Sequence, residues 1–164
     1  MTTESIPEQK FYRIAGIDPG PTKSGFVVLQ APIKRRLQHD DLYFLINKHE
    51  ENQFIRDYIN NPIDNMLDFL VIENVTSFRT AFPHVHETSR QIGRFEQIAD
   101  NNGIKNFVLA NHEITKHTGA QKDKFVKSYL QNKYRLDGEL GDNHVWSAFA
   151  LVTTWIEVYG ENHI

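Results

Sequence analysis

The residues best equipped for chemistry are acids set where apolar runs end. The run 14–17 stops at Asp18, inside Gly16-Ile17-Asp18-Pro19-Gly20, and a second apolar run, 26–29, resumes after Gly25. Two strands joined by a tight connection read this way, and they hold a carboxylate on rigid backbone at a sheet edge. Taken alone, Asp18 also fits an ordinary turn-starting residue. The all-apolar run 69–72 then ends at Glu73, a second acid at a second strand end, and Asp142-Asn143-His144 precedes the last apolar stretch. Brought to one edge of a sheet, these groups suit a hard divalent cation such as Mg²⁺, which takes carboxylate oxygens. Two such ions about 4 Å apart clamp a phosphodiester, one activating water and the other stabilising the leaving oxygen. Acids clustered without a cation would raise one another's pKa values. Asp142 has a second account, as the N-cap of the helix it precedes.

The elements that must position these residues follow from periodicity. Strands are expected over 11–17, 26–29 and 42–46, the last rich in aromatic and branched residues. A helix over 50–61 follows, with Phe54, Ile55, Tyr58 and Ile59 at three- and four-residue spacing and Pro62 as its stop. The run 69–72 lacks alternation, as a strand covered on both faces does. A loop over 74–83, a helix over 84–102 ended by Asn101-Asn102-Gly103, a strand over 107–109, a helix from Thr118 to Lys133 and a last helix after Asp142 complete the chain. Three strands, helix, strand, helix, strand and two helices make an α/β layer fold with a mixed sheet.

Composition sets the outer limits. Residues 1–10 are polar and read as a disordered tail, leaving 11–164 as one domain of a size that buries its own core. No Cys is present, so no disulfide framework exists and a reducing compartment is compatible. No run nears the ~18 apolar residues of a membrane span, so no membrane partner is expected. A net charge of −3 argues against coating nucleic acid by bulk charge, yet basic clusters at 34–36 and 116–127 can touch phosphates. Of the eight His, residues 84, 86, 112 and 117 invite a zinc reading, which the lack of Cys and of a His-Glu-x-x-His pattern disfavours.

Together the motifs resemble the RuvC family of Holliday junction resolvases, within the RNase H-like, retroviral integrase-like fold. Gly16-Ile17-Asp18-Pro19-Gly20 with Gly25 is similar to the family's first motif, Val71-Ile72-Glu73-Asn74-Val75 to its second, and residues 114–122 to its lysine-bearing stretch before a glycine and a helix. The resemblance covers nearly all of 11–156. It implies a three-layer α/β fold with a five-stranded mixed sheet and helices on both faces, and a phage-type member fits the compact length. It further implies a Mg²⁺-dependent endodeoxyribonuclease, with Mn²⁺ as a substitute. Asp18 and Glu73 would be catalytic metal ligands, His144 with Asp142 would complete the site, and Lys116 and Lys122 would meet phosphate, Lys122 as a catalytic group at the scissile one. Phe78, Arg79 and Phe82 would fall in a loop that probes the junction, where stacking on bases competes with packing into the core.

The resemblance also implies a homodimer pairing through the helix over 84–102, whose sparse apolar residues Val85, Ile92, Phe95, Ile98 and Ala99 would otherwise fill the chain's own core. Branched DNA is the implied partner, and a bacterial or phage-infected host cytoplasm the implied setting. The third motif departs: in the family the last helix opens with two acids, or a His and an acid, three residues apart, and here His144 holds the first position and Ser147 the second. Three accounts of the departure stay open: Asp142 supplies the missing carboxylate, His144 works with water, or the chain is a weakened or silent junction-binding protein; other RNase H-like substrates stay open as well.

Overall fold

The computed structural model describes residues 8–75, 82–120 and 123–164, with the backbone alone at 82–83 and 123–124. Five strands form one sheet: β1 (Tyr12–Asp18), β2 (Lys23–Ala31), β3 (Tyr43–Glu51), β4 (Phe69–Asn74) and β5 (Lys105–Ala110), in the order β3-β2-β1-β4-β5. β1 pairs antiparallel with β2, and β2 with β3; β4 runs parallel to both β1 and β5. The expected five-stranded mixed sheet is therefore present.

Strand side chains alternate between two faces, and both faces of this sheet are covered. Ile14, Val27, Leu29, Phe69 and Val71 point to one side and pack with α5 (Asn143–Val158), α3 (Asn111–Thr118) and α4 (Asp123–Tyr134). Ala15, Ile17, Phe26, Val28, Leu70 and Ile72 point to the other and pack with α1 (Asn52–Ile59) and α2 (Phe82–Asn101). Two buried faces are why the central strands read as continuous apolar runs. Helix α5 is itself enclosed: from Val145 to Glu157 every residue but Ser147 is buried, the pattern of a helix covered all round.

Glycine allows that helix to sit close. A Cβ on Gly16 would lie 2.3 Å from Val152 Cγ2 and 2.7 Å from the Ala148 carbonyl oxygen, and one on Gly25 only 2.1 Å from the His144 carbonyl oxygen. Two of the first motif's three glycines, Gly16 and Gly25, thus lie directly against the last helix.

Several expectations change. Among the described residues three helices follow β5, not two: residues 111–118 form α3, which the sequence conceals because Ile114 is the one residue of that stretch fully packed in the apolar core. Capping supports it in place of amphipathicity, with the Glu113 carboxylate accepting the Ala110 N–H at 2.8 Å and Gly119 closing its end at φ 71°. The helix expected from Thr118 consequently begins at Asp123. Strand β3 runs on to Glu51, past its expected end at residue 46, and α1 starts correspondingly later. Ile92, Phe95 and Ala99 of α2 are buried in the chain's own core, so that stripe is spent within the chain.

Candidate active site

Alternation decides where the acids point. Asp18 lies two residues beyond Gly16 and Glu73 two beyond Val71, so both face α5. Ile17 and Ile72 are register partners on parallel strands, which sets Asp18 and Glu73 side by side where those strands end. The carboxyl ends of parallel strands are where open α/β sheets bind ligands. Helix α5 begins over this edge, and His144 Nδ1 lies 2.9 Å from Asp18 Oδ2. Asn111, the first residue of α3, donates from Nδ2 to Glu73 Oε1 at 2.8 Å.

The turn that carries Asp18 is fixed from beneath. Ser24, fully buried, donates its hydroxyl to Asn52 Oδ1 at 2.6 Å and accepts the Gly20 N–H at 3.1 Å. Asn52 Nδ2 donates to the Gly20 carbonyl at 3.0 Å, and its N–H to the Thr22 carbonyl at 2.9 Å. Residues 20–24 are thereby tied to the head of α1, and the acid sits on a braced turn.

Asp142 caps α5. Its Oδ1 accepts the N–H groups of His144 at 3.0 Å and Val145 at 3.2 Å, and its Oδ2 lies 2.8 Å from His49 Nδ1. Burial pushes its carboxyl upward, but the Val145 N–H and the nearby His49 and His144 together outweigh this and hold it below the usual carboxylate range. Both oxygens are committed, so Asp142 is the N-cap and a partner of His49. The imidazole rings of His49 and His144 are in contact, with centroids 4.6 Å apart and planes tilted by 30°.

Asp18, Glu73, His144 and Asp142 are thus gathered at one edge. Ser147 lies half-buried one turn further along α5. Lys116 is elsewhere: it is exposed on the last turn of α3 and lines a cavity of about 410 Å³ with His112, His117, Thr154, Val158 and Tyr159. Phe78, Arg79 and Lys122 lie outside the described residues, as does the side chain of Phe82. In the basic cluster at 34–36, Lys34 pairs with Asp41 at 2.7 Å and Arg35 with Glu161 at 3.0 Å.

Sequence reasoning missed His49, Asn52 and Asn111. His49 carries no periodic signal, because Asn47-Lys48-His49-Glu50-Glu51 is polar throughout. Glu157 was missed too. Its side chain, only 3 % exposed, accepts from Lys133 Nζ at 2.5 Å, the Tyr134 hydroxyl at 3.1 Å and the Leu37 N–H at 3.2 Å, with His117 Nε2 3.3 Å away. Burial, and after it the Glu157 charge, drive the Tyr134 phenol far up.

Among the described residues no group of three or more His, Asp or Glu is arranged to hold a metal ion. A closed protein cage such as structural zinc uses is not what these residues provide. Two neighbouring carboxylates are a different donor set, and they fit Mg²⁺, which commonly takes one or two carboxylates and completes its shell with waters and substrate phosphates. Among the described residues, no helix is long and apolar enough to cross a membrane.

By sequence the chain matches no protein-family model and no curated protein. By structure it is similar to RuvC of Thermus thermophilus, at a TM-score of 0.75 and 15% identity over 92% of this chain and 96% of that one. The fowlpox virus Holliday junction resolvase aligns at 0.53 and 11% identity over 88% and 98%, and the yeast mitochondrial resolvase Ydc2 at 0.51 and 11% over 92% and 80%. The chain therefore has the α/β, RNase H-like fold of RuvC and of the viral and mitochondrial Holliday junction resolvases.

Proposed function

We propose that this protein is a metal-dependent, structure-selective endodeoxyribonuclease that nicks two opposed strands of a four-way DNA junction and works as a homodimer. The observation that carries the reading is that Asp18 and Glu73 each directly follow the register partners Ile17 and Ile72 at adjacent strand ends, on the face where His144 meets Asp18. Structures of this fold from Thermus thermophilus and fowlpox virus, solved with Holliday junction DNA, support the choice of substrate. A four-way junction offers two like strands to cut, a symmetry that a two-fold dimer matches. A bacterial or phage-infected host cytoplasm is the setting that we assign to it.

In this reading Asp18 and Glu73 hold Mg²⁺, or Mn²⁺ in its place. The ion supplies Lewis-acid polarisation of the scissile phosphate and offsets its charge. A carboxylate can only accept, so the Asp18 contact requires the proton on His144 Nδ1; Nε2 is then an acceptor in the neutral ring and a donor in the imidazolium. Nε2 is where His144 exchanges a proton with the attacking water or the departing oxygen. Asp142 acts by fixing the first turn of α5, and through it His144. Lys122, Arg79, Phe78 and Phe82 contact DNA near the cut, and Lys116 meets a phosphate farther along.

A second reading, a silent junction-binding protein, draws on Ser147 and on the commitment of both Asp142 oxygens. The two separate on a panel of four-way junction, duplex and RNA–DNA hybrid in Mg²⁺, Mn²⁺ and EDTA. The nuclease reading expects paired nicks in the junction alone and only with metal. Preferential cutting of hybrid would transfer the activity to another substrate class.

A further inference from the structure

Across the three strands at the active edge, Asp18, Gly25 and His49 form one row: Asp18 is the register partner of Gly25, and Gly25 of His49. Gly25 has no side chain, and the His144 carbonyl rests where its Cβ would be. Across that glycine the ring of His49 meets the ring of His144, their centroids 4.6 Å apart and their planes tilted by 30°. His49 is also the partner of Asp142 Oδ2. Since that carboxylate only accepts, His49 carries its proton on Nδ1, as His144 does toward Asp18.

We infer that His49 is a positioning residue for His144. Helix α5 alone fixes where the His144 backbone stands; it does not fix the rotation of the ring about its side-chain bonds. One edge of the ring is bonded to Asp18, and one face is covered by His49, which is itself bonded to the residue that caps the same helix. Asp142, His49, His144 and Asp18 make a closed relay from the helix cap to the first catalytic acid. The side chain of His49 is 31% exposed, so core filling does not account for its place. The Asp18 bond sets the tautomer of the His144 ring, and the ring of His49 packed on its face limits its rotation away from that bond.

The inference rests on the proposed role of His144, and its test reads the ring directly as well as the activity. Nitrogen-15 spectra of the histidine rings, in the whole protein without metal or DNA, report the His144 tautomer. The wild type is expected to show a defined Nδ1–H form. His49→Ala should move the His144 ring signals toward averaged values, and should lower kcat on a four-way junction by about 10- to 100-fold with KM within about twofold. His49→Phe keeps an aromatic plane over His144 and should recover most of both. Unchanged His144 signals in a folded His49→Ala protein would overturn the inference. If the wild type cuts no junction, the functional reading falls, and the ring signals alone still decide whether His49 orders His144.

Discussion

At the residue scale, the contrast between Asp142 and His144 governs how the departure at Ser147 is understood. Asp142 spends both oxygens within the protein, whereas the His144 ring is directed to Asp18. The work of the missing acid accordingly falls to His144. In junction-cleavage rates, Ser147→Asp should change activity by less than about tenfold, and His144→Ala should lower it by about 10²-fold or more, the scale of a positioned acid–base group. A second residue-scale prediction concerns stability. The Tyr159 hydroxyl donates to Glu113, and that bond, ahead of the opposing push of burial and the help of the Ala110 N–H, holds the Glu113 carboxyl low; the same bond and burial raise the Tyr159 phenol. A lowered carboxyl stabilises above its unfolded value, about 4.3, and that contribution is lost as pH falls through the folded value. A raised phenol stabilises below about 10, and its contribution is lost as pH climbs through the folded value. The Tm gap between wild type and Glu113→Gln, read by thermal melts across pH, should be widest from about pH 5 to 9 and narrow on either side.

At the scale of elements, α5 is held against the sheet by the absence of two side chains. Gly25→Ala places a methyl where the His144 carbonyl sits, so it should destabilise by roughly 1–3 kcal/mol in denaturant unfolding, as overpacking does. Gly93→Ala, on α2 with nothing within 4 Å of the added carbon, should instead stabilise by about 0.5–1 kcal/mol. Legibility from sequence follows the same physics. Asp18 and Glu73 could be found because each ends a run buried on both faces, and burial leaves a clear apolar signature. Strand β3 is an edge strand, and its second half, Asn47-Lys48-His49-Glu50-Glu51, carries the polar residues that edges favour, so neither the strand nor His49 stood out. Helix α3 was hidden because capping, not an apolar stripe, holds it. The Asp142 cap was readable, since its signal is one residue at one position; its bond to His49 is tertiary and had no sequence trace.

At the scale of the whole molecule, the proposed dimer must form without the apolar stripe of α2. Ile92, Phe95 and Ala99 are inside the core, and the outward side of that helix carries Ser89, Arg90, Gly93, Arg94 and Gln97. A pairing surface of this polarity favours association that is weak alone and strengthened by a shared DNA partner. Sedimentation at micromolar concentration should show two protein chains per junction in the complex; one chain per junction at saturation would remove the dimer from the account. The central claim is that Asp18 and Glu73 form a working metal-dependent nuclease site. Its most direct test is cleavage of a synthetic four-way junction by wild type and Asp18→Asn, with Mg²⁺ and with EDTA. Paired nicks on opposed strands are expected with wild type and Mg²⁺ only, and junction binding without cutting for Asp18→Asn. Tight junction binding by the wild type with no metal-dependent nick would contradict it.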